Sequence, residues 1–295
     1  MDCLFDYPLS LKNNKKQIWV LPCPFEGSVS YGTGTQFGPK AIFEASKQIE
    51  TFDPELNIAL EDYLDFPILN APPRNINSIL DYLTTIERIL TNYSPQQDFF
   101  LTLGGEHSIT LPLIKFYHKA YKDLVVLQID AHADLRESYE GSNFSHACVM
   151  ARCLELNVTL IQIGIRSVCK EEWQTIKNNK NIHSFFSWQL KSAHETALEC
   201  RKIIQNRPLY FTFDADGLDP SIMPGVGTPE PQGISFEWFK NFIFYLKPIN
   251  LIGMDFCELA PMPHSVLSQS IAAKCIFKTF TTYVYYNFNL LPNKN

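Results

Sequence analysis

Residues 124–134 read LVVLQIDAHAD: a largely apolar run to Ile129, then Asp130, His132 and Asp134 at alternate positions. A strand that is apolar nearly throughout is covered on both faces, the pattern of a parallel sheet lying between helices. Side chains at i, i+2 and i+4 of an extended segment project on one face, so the two carboxylates and the imidazole are expected to converge. Carboxylates gathered at a strand end repel one another and resist desolvation, so a positive partner is expected among them.

Outward from that stretch the same rhythm recurs. Strand-like runs occupy residues 17–23 (QIWVLPC), 98–105 (DFFLTLGG), 159–165 (TLIQIGI), 208–216 (PLYFTFDAD) and 249–256 (INLIGMDF). Helical spacing separates them, most clearly in Ile76, Ile79, Leu80, Leu83, Ile86 and Leu90, and in the PKAIFEASKQIE segment that starts at Pro39. The expected class is α/β, with a parallel central sheet and helices on both faces. Ligands of such sheets bind beyond the carboxyl ends of the strands. There the chain places His107 after LTLGGE, Asp130, His132 and Asp134 after LQI, Asp214 and Asp216 in FTFDADGLDP, and Glu258 after the last strand.

The 295 residues suffice for one large α/β domain, and no linker, repeat or low-complexity tract divides them, so a single domain over 1–295 is expected. A formal net charge of -6 argues against a nucleic-acid binder that relies on phosphate contacts. The N-terminus lacks a basic region ahead of an apolar run, and no apolar stretch reaches membrane-spanning length; a cytoplasmic protein without membrane contacts is expected. Eight cysteines without a C-x-x-C pair read as buried small hydrophobes, Cys148 standing apart only by its closeness to His146.

Each polar fragment has an ordinary reading by itself. His107 suits a helix cap, and Asp214 and Asp216 suit a turn. Together, two imidazoles and four carboxylates from three strand ends, without a thiolate, suit two divalent ions better than one structural zinc. Four carboxylates carry about -4 and two divalent ions about +4, so an added hydroxide leaves a centre that welcomes a cation. Two ions roughly 3.5–4 Å apart make a nucleophile of bridging water. The glycines of GTGTQFG miss dinucleotide-binding spacing, and neither a G-x-S-x-G elbow nor an H-E-x-x-H helix is present.

The segments GGEHSIT, DAHADLR, SHACVMAR, TFDADGLDPSIMPGVGTPEPQGIS and CELAP, in this order, with SYGTGTQFGPKAIFEAS near the N-terminus, resemble the arginase and agmatinase group of ureohydrolases over most of the chain. The resemblance implies a three-layer α/β/α fold with a mostly parallel sheet, two manganese ions, and hydrolysis of a guanidinium group to urea and an amine. It assigns Asp130 and Asp214 as bridging carboxylates, His107 and Asp134 to one ion, and His132 and Asp216 to the other. Asp134 also handles the leaving-group proton, His146 shuttles protons, and Glu258 holds the guanidinium by paired hydrogen bonds. Thr228, in the GVGTPEPQG tract, joins Glu258 and His146 in binding substrate.

Within the group, GVGTPEPQG is more similar to agmatinases than to arginases, and LRESYEGSNFS lacks the asparagine and serine pattern arginases use around the amino-acid head group. Agmatine is therefore the expected substrate, giving putrescine for polyamine synthesis, with Glu137 and Glu140 expected to receive its ammonium end. Arginase, guanidino-acid hydrolase and formiminoglutamase activities are the alternatives. A metal-binding regulatory homologue is the non-enzymatic one, and loss of a ligand, its marker, has not occurred. A one-metal amide hydrolase would leave part of the ligand set unexplained. The resemblance also implies a homo-oligomer, a trimer or hexamer, to which the aromatic FTTYVYYNFN tail contributes unless it is buried.

Overall fold

The computed structural model describes residues 3–9, 15–73, 78–248 and 250–288. Strands β1 (Lys16–Cys23), β2 (Phe52–Asp53), β3 (Ile58–Ala59), β4 (Leu64–Asp65), β5 (Phe99–Gly104) and β6 (Val125–Ile129) precede β7 (Thr159–Ile165), β8 (Ile182–Phe186), β9 (Leu209–Asp214) and β10 (Leu251–Cys257). Between and after them lie α1 (Gly38–Ser46), α2 (Ile79–Leu90), α3 (Thr110–His118), α4 (Val149–Leu154), α5 (Lys170–Asn178), α6 (Ala193–Ile204), α7 (Phe236–Leu246) and α8 (Leu267–Asn287). Eight strands form one sheet in the order β4-β1-β5-β10-β9-β6-β7-β8. Every pairing in it is parallel. The small β2–β3 pair is antiparallel and separate.

Alternation along the strands divides the interior in two. Val125, Leu127 and Ile129 of β6, with Leu209, Phe211 and Phe213 of β9, pack toward α1, α6, α7 and α8. Val126 and Tyr210, one residue out of phase, pack toward α2, α3 and α4. The result is the expected three-layer arrangement. In α2, Ser78 caps the first turn by accepting from the Asp81 amide, and Tyr82, Leu83, Ile86 and Leu90 turn to the core. Leu80, expected on that face, is 48% exposed because it sits roughly 100° round the helix axis from Ile79, outside the buried stripe. Ile76 lies outside the described residues.

Two strands of the eight-stranded sheet were not legible as apolar runs. In β8 the middle residues His183, Ser184 and Phe185 are only half-buried at the sheet edge, and β4 has two residues. The aromatic tail is the end of α8: Phe280 and Tyr283 are buried, with Phe280 edge-on to Phe66 and Phe99.

One row of the sheet, buried except at Ser184, is polar. Thr102, Asp255, Thr212, Gln128, Gln162 and Ser184 are successive register partners across β5, β10, β9, β6, β7 and β8. This row lies just before the carboxyl ends of four adjacent strands, β5, β10, β9 and β6, where the candidate ligands are attached.

Candidate metal centre and active site

The β6 pleat ends at Ile129, so the alternation anticipated for Asp130, His132 and Asp134 does not extend through all three. They converge by a turn instead: Asp134 has a left-handed backbone, φ 55°, uncommon for a non-glycine residue and frequent at functional sites. Glu258, after β10, is left-handed too, φ 62°. Close approach of backbones completes the floor. A Cβ at Gly217 would lie 2.8 Å from the Asp130 nitrogen, and one at Gly105 would lie 1.9 Å from the Phe25 carbonyl oxygen, so neither position admits a side chain.

Six side chains gather over that floor. The Nδ1 of His107 lies 3.1 Å from Asp130 Oδ2, 3.1 Å from Asp134 Oδ2 and 3.2 Å from Asp214 Oδ2, with hydrogen-bond geometry to none. His132 Nδ1 lies 3.0 Å from Asp216 Oδ2. Donor atoms of His107, Asp130 and Asp134 are mutually within 4.8 Å, as are those of Asp130, His132 and Asp216. Asp130 is common to both groups.

The polar row aims these ligands. Ser184 donates to Gln162, Gln162 to Gln128 (2.7 Å) and Gln128 to Asp130 Oδ2 (2.7 Å), a chain of donors running to one carboxylate. On the other side Thr212 donates its single hydroxyl proton to Asp255 (2.6 Å). Its oxygen therefore accepts from His107 Nε2 at 2.7 Å, which leaves the His107 Nδ1 lone pair facing the three carboxylates. Asp255 is held by Thr110 and Tyr210 as well.

Electrostatics describe a cluster short of positive charge. Burial, with Asp134 and Asp216 adding repulsion, pushes the Asp130 carboxyl up to about 7, and burial with Asp216 and Asp130 raises Asp214. Burial opposes the charged form of His132, but Asp216 and Asp130 outweigh it and push the ring up to about 11. His107 is likewise raised against its own burial by Asp130, Asp134 and Asp214. Against burial, His132 holds Asp216 below the usual carboxylate range.

Above the cluster opens a cavity of about 380 Å³ bounded by Ser30, His132, Asp134, Arg136, Tyr139, His146, Ser167, Val168, Cys169, Glu172 and Thr228. A narrower neck between it and the cluster is lined by His107, Asp214, Asp216, Glu106 and Glu258. Glu258 Oε1 accepts from the His107 amide at 2.7 Å, and Thr228 donates to Asp216 at 3.3 Å.

A sequence profile of the arginase family matches residues 16–281. This chain belongs to the arginase family. It is 35% identical over 267 residues to the N(1)-aminopropylagmatine ureohydrolase of Synechocystis sp., covering 88% of this chain and 86% of that one. It is 34% identical over 270 residues to the agmatinase of Bacillus anthracis, covering 89% and 90%. A solved structure of a putative agmatinase from Clostridium difficile superposes with a TM-score of 0.83 at 29% identity, covering 92% of this chain and 98% of that one. The chain is thus a ureohydrolase of this family, and its donor set fits the family's requirement for a metal pair. Oxygen and imidazole nitrogen donors converge, a buried lone pair points among carboxylates, and among the described residues His107 and His132 are the basic groups in ion-pair distance of the four acids.

Of the residues singled out from sequence, His107, Asp130, His132, Asp134, Asp214, Asp216, His146, Thr228 and Glu258 all border the cluster or its neck. Glu137 and Glu140 are not brought into the cavity. Glu137 turns to the buried Arg152 at 2.9 Å, a guanidinium that Glu155 also neutralises at 3.0 Å, and Glu140 is exposed outside the lining. Cys148 is buried, and its thiol is pushed up to about 11, chiefly by burial. Sequence reasoning missed Gln128, Gln162, Thr212 and Asp255, and also Glu106 and Ser28, which bond to each other beside His146. Thr212 precedes Asp214 by two positions on β9, a signal that was available.

Proposed function

We propose that the chain hydrolyses a guanidine with an amino-ended tail, agmatine first, to urea and an amine, using two divalent ions, manganese by preference. The single observation that carries this reading is the joint cluster of His107, Asp130, Asp134, Asp214, His132 and Asp216 at the bottom of an open cavity in an arginase-family chain. The chemistry supplied by such ions when bound is activation of water at neutral pH. The protein's own part is to hold substrate and protons. Glu258 has one oxygen engaged with the His107 amide, leaving the other to accept guanidinium N–H groups. Water oxygen bonds to the guanidinium carbon, the bond from that carbon to the alkyl-bearing nitrogen breaks, and this nitrogen keeps the electron pair. Asp134 receives one water proton and passes it to the leaving nitrogen, and His146 relays the second to the same nitrogen, so urea and an ammonium product result. The reading extends to one domain over the whole chain, located in the cytoplasm as a homo-oligomer of three or six copies.

Two observations bear on the tail. The cavity extends past the neck by about 380 Å³, room for a tail longer than agmatine's, and the Synechocystis relative is named for aminopropylagmatine. Conversely, Arg136 lines the same cavity, stacked 4.9 Å from the Tyr139 ring centroid, where it suits a carboxylate-ended tail. Urea release by the manganese-loaded chain should be compared for agmatine, aminopropylagmatine, arginine and 4-guanidinobutyrate. The expected result is a specificity constant for one of the first two at least about tenfold above the last two, a gap of the size one mismatched polar contact creates. A higher value for 4-guanidinobutyrate would transfer the tail to Arg136 and overturn the amine reading.

A further inference from the structure

We propose that Ser28, braced by Glu106, is a positioning residue that fixes His146 in a single tautomer, with the proton on Nδ1 and the Nε2 lone pair turned to the cavity. The proposal rests on the reading of His146 as a proton carrier. Glu106 follows β5 and is 1% exposed. Its Oε2 accepts from the amides of Gly27 and Ser28, both at 2.6 Å, and its Oε1 accepts from the hydroxyls of Ser28 at 2.9 Å and Ser108 at 2.5 Å. A carboxylate can only accept, so the one hydroxyl proton of Ser28 is committed to Glu106.

What remains on Ser28 is two lone pairs, and two donors meet them. The His146 amide lies 3.1 Å from Ser28 Oγ, and the His146 Nδ1 lies 3.0 Å from the same atom. With no second proton on Ser28, Nδ1 must carry one, and the neutral ring is bare at Nε2. The Nε2 edge faces Ser30 Oγ at 3.4 Å, and both residues line the cavity. Tyr139 lies edge-on to the ring with centroids 5.9 Å apart, which limits rotation of the imidazole. Ser145 Oγ, at 3.5 Å from Nδ1, is the weaker competitor for the same proton. The order Glu106, Ser28, His146 thus joins the end of β5, the loop after β1 and the loop before α4. It presents the one ring nitrogen that can take a proton from the cavity and return it there.

The test reads the tautomer directly, by nitrogen-15 chemical shifts of the histidine rings in the chain loaded with a diamagnetic divalent ion, His146→Gln serving to assign the resonances. In the wild type, His146 is expected to show a protonated Nδ1 and a bare Nε2. Ser28→Ala should move the proton toward Nε2 and lower kcat about tenfold or more with little change in KM, a part of what a positioned acid–base group contributes. Ser28→Thr, which keeps the hydroxyl, should restore both. A wild-type ring protonated on Nε2, or an unchanged pattern in Ser28→Ala, would overturn the proposal. Undiminished turnover in His146→Gln would overturn the proton-carrier reading by itself, and the wild-type ring shifts distinguish that failure from this one.

Discussion

Thr212 stands between a ligand and a buried acid, and its hydroxyl has no freedom: it donates to Asp255 and accepts from His107. Thr212→Val keeps the shape and removes both bonds, leaving His107 Nε2 without an acceptor. The expected outcome is a fold unchanged by circular dichroism and a metal affinity lowered about tenfold to a hundredfold in chelator competition. Unchanged affinity would mean that the His107 tautomer is set elsewhere. The six candidate ligands were legible because acids and imidazoles rarely follow an apolar strand without a task. Gln128, Gln162 and Asp255 were not, since one polar residue inside a buried strand reads as ordinary composition until register places it beside its neighbours. The ion pair of Glu137 was hidden for a related reason: its buried partner, Arg152, is fifteen positions on, and nothing local announces the pair.

Strands and helices were read from periodicity, and periodicity failed where the chain stopped being regular. The turn at Asp134 brings the motif together, yet its spacing also fits a strand. The β2–β3 hairpin is fastened by polar side chains as well as by the buried Ile58: Asp53, fully buried, accepts from Lys278 Nζ at 2.9 Å and from Thr281 at 2.9 Å on α8. Asp53→Ala strands Lys278 with only Glu55 and should cost about 3 kcal/mol in urea-induced unfolding, with turnover retained. An effect under about 1 kcal/mol would show that the hairpin is held by packing. Glu55 itself is lowered to about 2 by hydrogen bonds to Lys240 and Lys278. A carboxyl depressed in the folded chain adds stability above its unfolded value of 4.5, and the contribution fades as pH falls toward 2. Glu55 is half-exposed, so screening keeps the amount small. The unfolding midpoints of wild type and Glu55→Gln should therefore differ at pH 7 and approach each other below pH 4.5; a gap that widens in acid would contradict the assignment.

Across the whole molecule, two cores flank one parallel sheet, and the carboxyl ends of β5, β10, β9 and β6 lie side by side beneath the cavity. Among the described residues no helix is long and apolar enough to cross a membrane. The sheet order explains why motifs separated by up to 151 positions, His107 and Glu258 among them, meet at one neck. The most direct measurement is urea release from agmatine as a function of bound manganese in the stripped and reloaded protein. Loading to about two ions per chain is expected, with urea release rising as the second is taken up and with neither ion retained normally in Asp130→Ala. Urea release that is complete without metal, or an Asp130→Ala chain that keeps both ions and full turnover, would contradict it.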